Sequence, residues 1–173
     1  MANTFSSSLK KTLKNEGTDL DTLLPGIVSK YGIRQEILDA YNKRSNLPLE
    51  NIKDVDPKKV EKIYHDIFYI EPGYDKLPPK IATQAFDFGV QSGPSRSTMV
   101  IQSLVGAKPD GIIGPKTLLA IQSYVEKNGE DTLIKGIIDT RRTYIESLIK
   151  NHPKKFGGIQ KGLRNRVNAM EEK

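Results

Sequence analysis

The sequence predicts an all-α domain, and three features predict it. Apolar residues recur at helical spacing in nearly every periodic segment. Strand signals are confined to residues 18–33, enough for a small irregular hairpin at most. The stretch PKIATQAFDFGVQS at 79–92 is apolar almost all round, as a helix closed into the centre of a domain must be. With 173 residues and no low-complexity linker, one domain with a sizeable core is the simplest organisation.

Taken in order, Phe5, Leu9 and Leu13 recur at i, i+4 and i+8 and line one face of a first helix that stops at Glu16-Gly17. At about 100° per residue, Glu16 falls about 20° from Phe5, inside that same apolar stripe. Residues 33–45 form a shorter helix around Ile33, Ile37, Leu38 and Tyr41. Asp56-Pro57 open the next as N-cap and first-turn proline, followed by Val60, Ile63, Tyr64, Ile67 and Phe68. Tyr64 and Phe68 share its apolar face, which leaves Tyr69 to reach a cleft. In the central helix only Gln84, Asp87 and Gln91 break the apolar pattern, and at i, i+3 and i+7 they share one face.

Ser95 is placed to cap a further helix running to Gly106. The turn AKPDGIIGP then leads to Pro115 and a helix through Leu118, Leu119, Ile121 and Val125. A long helix covers about residues 130–151, with Leu133, Ile134, Ile137, Ile138, Tyr144, Ile145 and Leu148 as its core face. Pro153 and Gly157-Gly158 set off a short basic C-terminal helix.

Composition removes several chemistries. Cysteine is absent, so there is no disulfide framework, thiolate metal site or cysteine nucleophile. No phosphate-cradling glycine loop is present. His65 and His152 lie far apart and are assigned no role. No metal and no cofactor is expected. The formal charge of +6 suggests an anionic partner, and nucleic acid, acidic lipid and an anionic wall polymer fit it alike. The opening MANTFSSSLKKTLKNEG lacks an apolar core, and no run approaches the roughly 18 apolar residues of a membrane span. The expectation is a chain made in the cytoplasm without a signal peptide or integral membrane segment.

Carboxylates remain. Glycoside hydrolysis needs an acid to protonate the leaving oxygen, often with a second carboxylate that activates water. An inward Glu at a helix C-terminus meets both desolvation and the negative end of the helix dipole, and both favour its protonated form. Glu16 therefore fits a general acid, with Asp21 across a turn as the water-activating base. A frayed, solvated helix end fits the same spacing.

The chain also resembles a known family. NEG at 15–17 and PGIVSKYGI at 25–33 are similar to the opening of the glycoside hydrolase family 108 muramidases, with their Glu-Gly-Gly signature and following loop. FDFGVQSGP at 86–94 resembles the family's Phe-Asp-x-x-x-Asn-Ser-Gly-Pro helix. DGIIGPKTLLAI at 110–121 is similar to its peptidoglycan-binding-type turn and helix, and GLRNR at 162–166 to a Gly-Trp-x-Asn-Arg element. Thr18, Leu24, Ile27 and Leu163 depart from the pattern.

The resemblance implies a lysozyme-like helical domain over 1–173, with a catalytic part at about 1–94 and a peptidoglycan-binding-type part at 95–173. It implies cleavage of the β-1,4 bond between N-acetylmuramic acid and N-acetylglucosamine, with Glu16 and Asp21 catalytic. Ser29, Tyr31, Tyr69, Asp87 and Gln91 become substrate-binding candidates, and Asp87 fits a buried structural carboxylate equally well. The expected setting is a phage endolysin or bacterial lytic enzyme, monomeric, acting on periplasmic peptidoglycan after release, for instance through a holin. A non-catalytic wall-binding module is the alternative. A helical nucleic-acid binder ranks last, because no basic helix carries interleaved aromatics.

Overall fold

The computed structural model describes residues 4–16, 20–24, 27–30 and 32–171, with side chains described for 4–13 and 32–171. The fold is mainly α, as the periodicity predicts. Contacts divide the chain into two compact units, Met1–Tyr69 and Ile70–Lys173.

The first unit opens with α1 (Thr4–Glu16). Its buried face is Phe5, Ser8, Leu9 and Thr12, while Leu13 is half-buried. That spacing of three and four residues is the ordinary inward stripe of a helix. Two of its four members are hydroxyl residues, so apolar residues alone trace the face incompletely.

Strands β1 (Leu20–Leu24), β2 (Ile27–Lys30) and β3 (Ile33–Arg34) follow as an antiparallel sheet in sequence order. The expected hairpin is therefore present, and a two-residue third strand extends it. A register shift between Asp21 and Leu24 makes it irregular. Next comes α2 (Gln35–Arg44). Helix α3 (Pro57–Ile63) starts as predicted, with the Asp56 side chain accepting a hydrogen bond from the Lys58 N–H at 2.7 Å.

Beyond Ile63 the chain does not continue as an α-helix. Residues Tyr64–Ile70 form a π-helix, whose i→i+5 bonds widen the turn. A wider turn brings residues i, i+4 and i+5 toward one side. Tyr64, Phe68 and Tyr69 are accordingly all buried.

In the second unit, α4 (Pro79–Ser92) is the central helix the sequence predicts. It is buried at Ile81 and Ala82 and again without a break from Gln84 through Gly89. It packs on α5 (Pro94–Leu104) and α7 (Glu130–Asn151), and α7 also holds α6 (Pro115–Asn128) and α9 (Gln160–Ala169). A four-residue helix α8 (Pro153–Phe156) precedes α9. The joint between α4 and α5 is one residue, Gly93, at φ +91°, a conformation L side chains rarely adopt. Pro94 then takes the first helical position, so α5 begins one residue before the predicted Ser95 cap.

Candidate functional site

Glu16 is the last residue of α1. It occupies the register position one turn beyond Thr12 on the row that Phe5, Leu9 and Thr12 begin, all of them buried. Asp21 and Ser29 are Cα partners across the β1–β2 pair. The sheet thus brings two of the sequence-predicted residues to one register position. Chain geometry keeps the Cα atoms of Glu16 and Asp21 within about 18 Å of each other, since five residues cannot span more. The side chains of Glu16, Asp21 and Ser29, and Tyr31 altogether, lie outside the described residues.

Tyr69 is placed otherwise than predicted. It is 6% exposed, with its ring 5.3 Å from that of Phe5. The physical reason is the π-helix, which turns it to the side of Tyr64 and Phe68 rather than toward a cleft. The same widened turn exposes His65 and Asp66 in part. Asp66 accepts from Tyr41 Oη at 3.0 Å and Lys62 Nζ at 2.8 Å, and His65 Nδ1 lies 2.9 Å from its other oxygen. Burial pulls the Asp66 carboxyl upward, but the hydrogen bonds from Lys62, His65 and Tyr41 together hold it below its ordinary value.

Asp87 takes the buried structural place that the sequence allowed equally, and Gln91 bonds beside it. Gln84, Asp87 and Gln91 do share one face of α4, and that face meets the C-terminal helices. Gln84 Nε2 donates to the Met170 carbonyl at 2.9 Å. Asp87, 0% exposed, pairs with Arg141 Nη2 at 2.7 Å and Arg166 Nη2 at 3.3 Å. Gln91 Oε1 accepts from Arg141 Nε at 2.7 Å. A carboxylate without exposed surface and between two guanidinium groups has no face to offer a sugar. Burial pushes the Arg166 guanidinium down to about 10, so it stays charged at neutral pH. Two motifs of the sequence, FDFGVQSGP and GLRNR, thus meet through Asp87 and Arg166.

Sequence reasoning missed Arg141. Its signal was present: position 141 continues the stripe of Ile134, Ile137, Ile138, Ile145 and Leu148 along α7. A cation in an apolar stripe requires a buried anion, and Asp87 was the available one.

The DGIIGP turn is built around Gln102, which is fully buried. Gln102 Nε2 donates to Asp110 Oδ1 at 2.8 Å and to the Ile112 carbonyl at 3.0 Å, while its Oε1 accepts the Gly111 N–H at 2.9 Å. Gln102 and the Ile112 N–H together hold the Asp110 carboxyl below its ordinary value. Gly111, at φ +80°, has no room for a Cβ, which would stand 2.5 Å from Ser95 Oγ. Turn geometry therefore accounts for Asp110 and Gly111, while Ile112 and Leu119 face outward, 68% and 64% exposed. Among the described residues no cluster of three His, Cys, Asp or Glu could hold a metal ion, and no helix is long and apolar enough to cross a membrane.

Comparisons with known proteins match the chain in two stretches. Residues 9–93 match the family described as Glycosyl hydrolase 108, and residues 96–167 match the Predicted Peptidoglycan domain. The structure resembles that of Brucella abortus SagA, with a TM-score of 0.73 and 24% identity over 98% of this chain and 97% of that one. That likeness supports the fold. No curated protein matches the sequence. The two family matches meet at 93–96, in the Gly93 joint, whereas the contact division puts α4 with the C-terminal helices.

Proposed function

Starting from a chain that belongs to the glycosyl hydrolase 108 family over residues 9–93 and carries a peptidoglycan domain behind it, we propose that it is a muramidase. It hydrolyses the β-1,4 bond between N-acetylmuramic acid and N-acetylglucosamine. Glu16 donates a proton to the glycosidic oxygen as the bond from the muramic C1 breaks. Asp21 removes a proton from the water that attacks C1, and Ser29 and Tyr31 line the sugar. The observation that carries this reading is the register of Glu16, one turn beyond Thr12 on the buried row of α1 and inside the matched residues.

The chemistry explains why a helix end suits the acid. An inward position disfavours the carboxylate by desolvation, and the helix C-terminus disfavours it electrostatically. Such a group keeps its proton to a higher pH and delivers it when the leaving oxygen develops charge. If the reaction inverts, the two carboxyls stand about 6.5–9.5 Å apart with water between them. The place of action is the wall, reached in a phage lytic cycle through membrane lesions of the holin kind.

Product analysis tests the bond. Purified sacculi are digested, the new ends reduced with borohydride, and the fragments weighed. Reduced muramic acid ends are expected. Reduced glucosamine ends, anhydro-sugar ends, or freed amino groups without new reducing ends would contradict the muramidase reading.

A further inference from the structure

The chain's net excess of positive charge falls in one stretch of the sequence. Residues 147–170 contain six Lys and Arg and no Asp or Glu, while the rest of the chain carries twenty-one of each sign. Two of the six are occupied: Arg166 by Asp87, and Arg164 by Glu146, its Nε and Nη2 lying 2.6 and 2.7 Å from the two carboxylate oxygens. The remaining four, Lys150, Lys154, Lys155 and Lys161, are exposed and make no ion pair among the described residues. Earlier on α7, by contrast, Lys135 pairs with Asp139 and Arg142 with Glu171.

The segment's apolar side is already spent inward. Leu148, Ile149 and Leu163 pack on the cluster of Ile138, Ile145 and Val167. None of the exposed large apolar residues falls within 147–170. Insertion into a lipid interface requires such residues, and their absence from this segment disfavours a membrane. Phe156 is half-buried, with Lys155 Nζ 5.4 Å from its ring centre, so no open aromatic surface is offered to bases. The four cations of this segment without a described ion pair are all lysines, which act as dispersed point charges rather than as the planar forks that grip phosphate in two places.

We propose that Lys150, Lys154, Lys155 and Lys161 form the surface by which the second unit holds the free carboxylates of peptidoglycan peptide stems. This rests on the peptidoglycan reading above, and adds to it the part of the polymer that is recognised. Carboxylates spaced along a polymer match cations spaced along a segment, and each contact is weak, exposed and screened by salt.

The test is cosedimentation of the full chain with purified sacculi, read in the cold before clearing sets in. Native sacculi are compared with sacculi whose carboxyls have been amidated with methylamine. Replacing the four lysines with glutamine should weaken retention about tenfold or more, as four exposed pairs of ordinary strength sum. The wild type should lose as much on amidated sacculi and in raised salt. Replacing the same four with arginine should restore retention, which separates lost charge from lost structure. Unchanged retention of the glutamine variant, or of the wild type on amidated sacculi, would overturn the proposal. So would tighter, lysine-dependent binding to duplex DNA or to phosphatidylglycerol vesicles. Clearing is measured on the same preparation: a protein that clears but shows no carboxylate dependence loses only this proposal, and one that binds through the lysines without clearing loses only the muramidase reading.

Discussion

Residues 1–69 keep their described ion pairs near solvent, whereas residues 70–173 close one into the interior. In the first unit Asp66 takes hydrogen bonds from Tyr41 and Lys62 while its side chain stays 32% exposed, and Lys59 pairs with Glu50 in the same half-open way. In the second, Asp87 and Arg141 are 0% and 1% exposed. The charge balance differs too: eleven Lys and Arg face ten Asp and Glu in residues 1–69, against sixteen and eleven in 70–173. The difference teaches how similar residues divide by use. A buried pair fixes which helices meet, because each partner is costly without the other. A half-exposed pair leaves its residues replaceable.

The sharpest way to break that comparison is Asp87→Asn, which keeps the shape and removes the anion. Two guanidinium groups lose their described counter-charge, and loss of stability on the order of 3–5 kcal/mol is expected by urea denaturation. A loss below about 1 kcal/mol would mean the pair is not closed from water. Next in size is Gln102→Ala, which strips the Gly111 N–H and the Asp110 carboxylate of their buried partner. About 1–3 kcal/mol should be lost, with the turn at 110–114 exchanging its amide hydrogens faster. A stable variant with a protected turn would show that the turn holds itself.

Asp66→Asn is the smallest expected effect, about 1 kcal/mol or less at neutral pH, because water shares the site. Its pH dependence sharpens the contrast. The Asp66 carboxyl has a folded value below its ordinary 3.8, so its contribution is full above that pH and is lost as pH falls through the lower folded value. Melting temperatures of wild type and variant should therefore differ at neutral pH and converge in acid below about 3.8. A gap that widens in acid would reverse the assigned sign.

Much of the fold was legible because periodicity is a local property. The start of α3 at Asp56-Pro57, the buried α4 and the span of α7 can all be read from spacing and caps. The π-helix could not be, since widening the turn depends on what Tyr64, Phe68 and Tyr69 pack against rather than on their spacing. That single change moved Tyr69 from cleft to interior. Ser8 and Thr12 escaped for a related reason: hydroxyl residues on an inward face look like a polar boundary. Asp87 was seen as exceptional but not paired, because its partners Arg141 and Arg166 stand 54 and 79 residues away. The register of Asp21 with Ser29 needed the sheet itself. The end of α1 at Glu16 was legible from the spacing and the following glycine, while the Glu16 side chain lies outside the described residues.

The central claim is that Glu16 supplies the proton, and Glu16→Gln tests it most directly. The substitution preserves shape and removes the transferable proton. Clearing of purified peptidoglycan should fall about 10²–10⁴-fold, the usual contribution of a general acid, while the melting temperature holds or rises slightly. Retained clearing with an intact melt would contradict the account and return Glu16 to an ordinary helix end.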